Sequence, residues 1–299
     1  MVSAPKQLDT GGRSLDYVRS KVGLFRLQAI LATALAAILA LIFVWPFFCI
    51  IGTTFRPIDA ALRAPLWPIP ERFSLKFYEL MFSEKYHFQS YIWNSVKVSV
   101  AATALGAFAN TFAGYALAKL KFRGRDLLFS LIIAIMLLPT TTMLVPSYVV
   151  MRDLGLVNKH LGLILPAVGG GAFGIFMMRQ FLLGLPTEML EAARMDGASE
   201  FGTFFRIVLP NSKAAIGVIA TLALRGNWNS LLWPQIIISD NSKALLMPAI
   251  AMLNQQQVAD AFALPVVWTS AIVASLVPLA VYAYSQRYFV DTLAGAIKG

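Results

Sequence analysis

Long apolar stretches separated by short polar ones set the pattern of this chain. Residues 27–55 carry no charge, and further apolar runs occupy 98–118, 127–151, 161–178 and 261–286. Another, 214–238, contains one charge, Arg225. A helix crosses the hydrocarbon core with about 20 predominantly apolar residues, which each run supplies or nearly supplies. A membrane β-strand would instead alternate apolar and polar positions over about ten residues, and these runs do not alternate. The pattern predicts an all-α polytopic membrane protein with six transmembrane helices. One membrane domain, 27–290, lies between an N-terminal tail, 1–26, and a C-terminal tail, 291–299. The loop after the first span, 52–90, holds Pro57, Pro65, Pro68 and Pro70 with aromatics between them. At that length it is expected to form an ordered cap.

Composition agrees, and charge adds orientation. Of the 299 residues, 58% are hydrophobic and 13% charged. That is about half the charged share of a soluble domain, so lipid must be part of the solvent. A net charge of +10 raises nucleic acid as a partner, but the cations sit between apolar runs rather than on one basic face, which argues against it. They divide unequally instead. One side receives Lys6, Arg13, Arg19, Lys21 and Arg26, then Lys119, Lys121, Arg123 and Arg125, then Arg179, Arg194, Arg206 and Lys213, and last Arg287 and Lys298. The other receives only Arg56, Arg63, Arg72, Lys76, Lys85, Arg152, Lys159 and Lys243. Cytoplasmic loops carry the Lys/Arg excess, which puts both termini in the cytoplasm. The first apolar segment is too long for a secretory signal and lacks its cleavage pattern. Cys49 is the lone cysteine, so no intrachain disulfide can form. His87 and His160 are too isolated to bind a metal.

Between the fourth and fifth runs lies a cytoplasmic stretch, 186–210, that reads as helix, turn, helix. Pro186 marks a break, and Thr187 can cap a helix running to about Asp196. Gly197 can take the left-handed conformation that ends it. Ser199 can cap the next helix, with Glu200 in its first turn. Ala192 and Ala193 offer a small face that another protein can approach closely, ringed by Glu188, Glu191, Arg194 and Asp196. By composition alone this is a solvated amphipathic connector.

The order of residues goes further. Glu191-Ala192-Ala193, three residues, Gly197, nine residues, Ile207, one residue and Leu209-Pro210 resembles the EAA loop of ABC-importer permeases at every signature position. The resemblance extends from Trp45-Pro46 to the C-terminus. It includes Asn94-Ser95, Ala113 to Ala118, Phe122 to Arg125, Pro139, Pro146, Leu154 to Asn158, Arg179 to Phe181, Asp196 to Ser199, Trp228-Asn229 and Ala294 to Gly299. On these residues the chain is similar to the maltose-type, carbohydrate-uptake permeases, specifically the six-span partner of a two-permease pair.

The resemblance implies an inner-membrane subunit that imports a sugar or oligosaccharide. An extracytoplasmic solute-binding protein would deliver cargo to this chain and a second homologous permease. Two ATPase subunits would bind ATP and Mg, so this chain would hold no cofactor. The EAA helix would seat in an ATPase cleft, with Glu191 pairing a basic residue, Ala192 and Ala193 giving close fit and Gly197 setting the turn. Asp196, Leu209 and Pro210 belong to the same coupling signature. Lys298-Gly299 would reach the ATPase interface, although Val290-Asp291-Thr292 departs from the family's usual lead-in. The chain itself has no Gly-x-x-x-x-Gly-Lys-[Ser/Thr] loop. Gly169-Gly170-Gly171 lies in an apolar run without a following Lys and reads as helix flexibility or close packing. With no nucleophile-base-acid set either, the chain is not expected to be an enzyme.

For cargo contact the fifth run offers Arg225, Asn227, Trp228, Asn229 and Trp233. Asn offers both donors and acceptors to hydroxyls, and Trp presents a flat apolar face to a sugar ring. Gly226 and Pro234 allow a broken helix around a midplane site. The same residues serve equally to pack one permease on the other. Arg225 and Lys97 are unusual for the family and leave room for an anionic cargo, although Lys97 can also snorkel to the interface. Two rivals stand. Import of glycerol-phosphate esters uses the same permease architecture. A secondary transporter would need intramembrane carboxylates, which are absent from these runs, and would leave the EAA loop unexplained.

Overall fold

The computed structural model describes residues 11–63, 68–169, 171–256 and 262–297. Every regular element among them is helical, and the chain divides into two compact units, 1–76 and 77–299. In the first unit α1 (Gly11–Thr54) leads into the short α2 (Ile58–Arg63). The tail expected at 1–26 is therefore continuous with the first span from Gly11 onward. The part of α1 apolar enough to cross a membrane is Gln28–Thr54. The beginning of the expected cap is ordered. Phe55 and Phe73 stack with ring centroids 5.1 Å apart. Ser74 N–H donates to the Phe55 carbonyl at 2.8 Å, and the Arg56 guanidinium donates to the Ile69 carbonyl at 3.2 Å.

The second unit contains α3 (Lys76–Met81) and is organised around α4 (Phe88–Lys119). The buried positions of α4 include Ser95, Ser99, Ala102, Gly106, Asn110, Gly114 and Ala118. They recur at three- and four-residue spacing on one helix face, and small residues there let neighbouring helices approach closely. A Cβ placed on Gly106 would stand 2.9 Å from the Ala167 carbonyl oxygen, and one on Gly114 would stand 2.6 Å from Met178 Cβ. These contacts hold α7 (Leu161–Gly169) and α8 (Ala172–Leu183), the fourth expected span, against α4.

Two further expected spans are not single helices. The run 127–151 forms α5 (Arg125–Met136) and α6 (Leu144–Asp153). Pro139 has no N–H and its ring clashes with the carbonyl four residues back, so the helix stops before it. Turn bonds take over, Thr142 N–H to Pro139 O at 3.1 Å and Met143 N–H to Thr140 O at 3.2 Å. After the loop helices α9 (Thr187–Met195), α10 (Glu200–Thr203) and α11 (Leu209–Asn211), the run 214–238 forms α12 (Lys213–Trp228) and α13 (Leu232–Ile237). A short α14 (Leu246–Gln255), which hydropathy did not reveal, precedes α15 (Ala263–Ile297). α15 carries the sixth expected span on into the expected C-terminal tail.

By length and apolarity four described segments can each cross a bilayer: Gln28–Thr54, Phe88–Lys119, Leu161–Leu183 and Ala263–Ser285. A fifth arises if Glu200–Asn211 and Lys213–Trp228, bent by 78°, count as one. The six-helix expectation is met only in part by long uninterrupted helices.

Candidate functional site

The stretch 186–210 folds largely as its residues dictate. Pro186 precedes α9 in an extended conformation with ψ 127°. Thr187 does not cap the helix; it is the first helical residue. Its hydroxyl accepts from Lys119 Nζ at 3.4 Å, and the same ammonium donates to the Leu185 carbonyl at 2.7 Å. The other end closes as the glycine requires. Gly197 has φ +83°. Its N–H donates to Arg194 O at 3.0 Å, and Ala198 N–H donates to Ala193 O at 2.9 Å. Those two bonds satisfy carbonyls that a helix end otherwise leaves unpaired. Ser199 Oγ then accepts from Gly202 N–H at 3.1 Å and caps α10 as expected.

Between α10 and α11 the backbone takes a π-helical turn, Phe204–Val208. Pro210 explains it. The ring would collide with the carbonyl of Arg206 in a regular helix, and an extra residue in the turn relieves the clash.

The inner side of this loop is anchored to the bundle. Leu190, Phe204 and Val208 are fully buried in one core with Tyr115, Met178, Leu182 and Ile219. Phe204 lies edge-on to Phe112 at 5.2 Å between ring centroids and to Phe108 at 6.0 Å. Leu209 packs against the same cluster. A polar link adds direction. Arg194 donates through Nε to Glu200 Oε1 at 2.8 Å and through Nη2 to Oε2 at 3.3 Å. The Tyr115 hydroxyl donates to Glu200 Oε2 at 2.7 Å. The Arg194 bond, then the Tyr115 bond, hold the Glu200 carboxyl below the usual glutamate range, and Glu200 in turn raises Arg194. One carboxylate thus ties the end of α9 and the start of α10 to α4.

The outer side is left open. Glu191, Ala192, Asp196, Gly197 and Pro210 are exposed, and Ala193 is half-buried. Among the described residues no ion pair involves Glu191 or Asp196. Met195 is 87% exposed, an adaptable apolar side chain of the kind that serves protein-docking faces. The sequence reading overlooked it, together with the anchoring roles of Tyr115, Lys119 and Glu200. An exposed Met beside Ala-Ala was the available signal for Met195. No local signal existed for the Tyr115–Glu200 bond, whose partners are far apart in the chain.

The cargo candidates separate in space. Asn227 donates to Thr103 Oγ1 at 3.1 Å. It lines two adjoining cavities of about 270 and 240 Å³, the second of which also touches Trp233. The Trp233 indole donates to the Gly162 carbonyl at 3.2 Å. Trp228 is buried, with its indole donating to the Ala274 carbonyl of α15 at 3.0 Å, which makes it a packing residue here. Arg225 and Asn229 are exposed and line neither cavity. Lys298 and Gly299 lie outside the described residues.

Residues 98–294 match the family described as binding-protein-dependent transport system inner membrane component. An arabinooligosaccharide transport system permease protein of Bacillus subtilis (strain 168) is 30% identical over 278 residues, covering 92% of this chain and 98% of its own length. One of Halalkalibacterium halodurans is 32% identical over 272 residues, covering 88% and 94%. Among solved structures, a chain of a bacterial ABC transporter involved in the import of the acidic polysaccharide alginate aligns with a TM-score of 0.76 at 24% identity. The alignment covers 88% of this chain and 97% of that one, which shows the shared fold.

Proposed function

The chain belongs to the binding-protein-dependent inner-membrane transport family, and we propose that within it the chain serves as a sugar- or oligosaccharide-importing permease. The observation that carries the mechanism is the two-sided loop. Its inner residues, Leu190, Phe204 and Glu200, are fixed to the bundle. Its outer residues, Glu191, Ala192, Asp196 and Gly197, are left open. A push on α9 is therefore passed to α4 and α12 rather than lost in a flexible connector. ATP closes two partner ATPase subunits, each permease loop rides in an ATPase cleft, and the spans turn as bodies between inward- and outward-open arrangements. A second permease completes the pathway, and an extracytoplasmic binding protein loads it.

This reading places both termini in the cytoplasm and counts six crossings: α1, α4, α5 with α6, α7 with α8, α12 with α13, and α15. The sugar class rests on the arabinooligosaccharide permeases among the relatives. The test is reconstitution. The chain is purified with its co-expressed permease and ATPase partners and placed in proteoliposomes with the cognate binding protein. ATP-dependent uptake of arabinotriose or an alginate trisaccharide is the expected result. Uptake confined to sn-glycerol 3-phosphate would replace the sugar reading, and uptake indifferent to ATP would overturn the importer.

A further inference from the structure

The cavity of about 270 Å³ beside α4 contains a polar group that the coupling mechanism does not use. Asn110 lines it and is 5% exposed, yet among the described residues its Oδ1 has no hydrogen-bond partner. A buried amide oxygen left unpaired is costly, so it points to a missing donor. Asn110 sits nine residues before Lys119, about 13 Å along the helix from its cytoplasmic end and near the middle of a ~30 Å hydrocarbon core. The opposite wall is shaped around it. Side chains on Gly171 or Gly174 would collide with the Asn110 amide, so both glycines are needed for its present position. Gly171 also leaves the helical conformation, with ψ 43°, and α8 starts one residue later. The N–H groups that open α8 have no acceptor within the helix and bring partial positive charge to this wall. Phe173 and Asn227 complete the lining.

We propose that this cavity is a hydroxyl-recognising subsite on the translocation path, where the Asn110 amide oxygen accepts a hydrogen bond from a hydroxyl of the passing sugar. Donors at the start of α8 meet a second sugar oxygen, and the Phe173 ring supplies an apolar face. The inference rests on the sugar-import reading. A sugar arriving here replaces hydroxyl–water bonds with bonds to fixed groups, and so few neutral bonds keep binding weak enough for release.

The assembled transporter is purified as wild type, Asn110→Ala and Asn110→Ser, counted by its copurifying ATPase, and reconstituted with the binding protein. Uptake of radiolabelled arabinotriose and alginate trisaccharide is measured per assembled complex. Loss of one neutral hydrogen bond predicts an uptake lower by about three- to tenfold in Asn110→Ala. Asn110→Ser, which keeps one acceptor, is expected to fall between. Unchanged uptake per complex in Asn110→Ala overturns the subsite and leaves the import reading standing. Failure of both variants to assemble makes Asn110 a packing residue and also overturns it. If the wild type imports neither sugar, the import reading itself fails, and the sugar subsite falls with it.

Discussion

Gly197 separates what this chain needs from what a partner needs. Its φ of +83° favours glycine, yet a Cβ built there meets nothing within 4 Å. Within the chain the cost of a side chain is therefore backbone strain, about 1–2 kcal/mol for most residues and less for Asn, which visits this conformation readily. Gly197→Asn is expected to insert and fold as wild type but to lower ATPase copurification about tenfold, because the added side chain enters the docking cleft. Wild-type copurification with wild-type uptake would remove Gly197 from the interface. Glu191→Ala should behave alike, since an exposed side chain with no ion-pair partner among the described residues contributes little to stability. The Glu200 link has a pH signature. Its carboxyl is held below the ordinary range, so its contribution is intact above the unfolded glutamate pKa and is lost as pH falls through the depressed folded value. Because the Glu200 side chain is nearly half exposed, Tyr115→Phe is expected to cost only about 1 kcal/mol. It should flatten part of that acid-side loss in a thermal unfolding series of the detergent-solubilised complex. Unaltered acid sensitivity would detach Tyr115 from the link. Gly197 was legible in the sequence because its two closing bonds join residues within five positions. The bond of Tyr115 to Glu200 joins residues 85 positions apart, and no local pattern announces such a pair.

At the scale of elements, hydropathy found the apolar runs but read through their interruptions. The run 127–151 is apolar on average, so a window sees one span; Pro139 decides otherwise through its missing N–H. The run 214–238 likewise hides the gap between α12 and α13. For α9 the sequence did better: the capping and turn residues outlined the helix to about Asp196, and Glu191 and Ala192 of its expected open face are exposed, while the burial of Leu190 came only from the fold. The π turn before Pro210 had a readable cause but no readable consequence. It places one extra residue between α10 and α12, which turns the preceding residues by about 100° relative to a regular helix. That rotation bears on which face Glu200 presents to Tyr115. Pro210→Ala restores a backbone donor and removes the ring clash, so the turn is expected to relax towards α-helix. The complex should then be as stable as wild type or more so in thermal unfolding, yet transport less per ATP hydrolysed, by roughly tenfold. Full coupling in Pro210→Ala would show that the π turn is incidental.

At the scale of the whole molecule, the exposed side chains indicate what surrounds the chain. No residue of α5 is buried, and Leu127, Leu128, Leu131 and Ile135 are among its open apolar side chains; lipid or another span must cover them. Arg225 is a different case. It lies twelve residues past Lys213, about 18 Å along α12 and well inside the hydrocarbon thickness. It is exposed in the isolated chain. It lines neither intramembrane cavity and forms no ion pair among the described residues. A guanidinium facing lipid at that depth costs at least about 2.5 kcal/mol. On the proposed reading a second permease would supply the cover, through a carboxylate or backbone carbonyls on its facing span. Arg225→Gln is accordingly expected to lower the yield of assembled transporter about tenfold whatever the cargo, while the chain expressed alone inserts as before. Arg225→Lys keeps the charge but loses the planar fork and should recover only part of the yield. The deciding comparison sets complex yield against uptake per complex for a neutral and an acidic trisaccharide. Full yield with selective loss of the acidic cargo would move Arg225 from the permease interface onto the pathway, where its charge would act on the sugar rather than on a neighbouring chain.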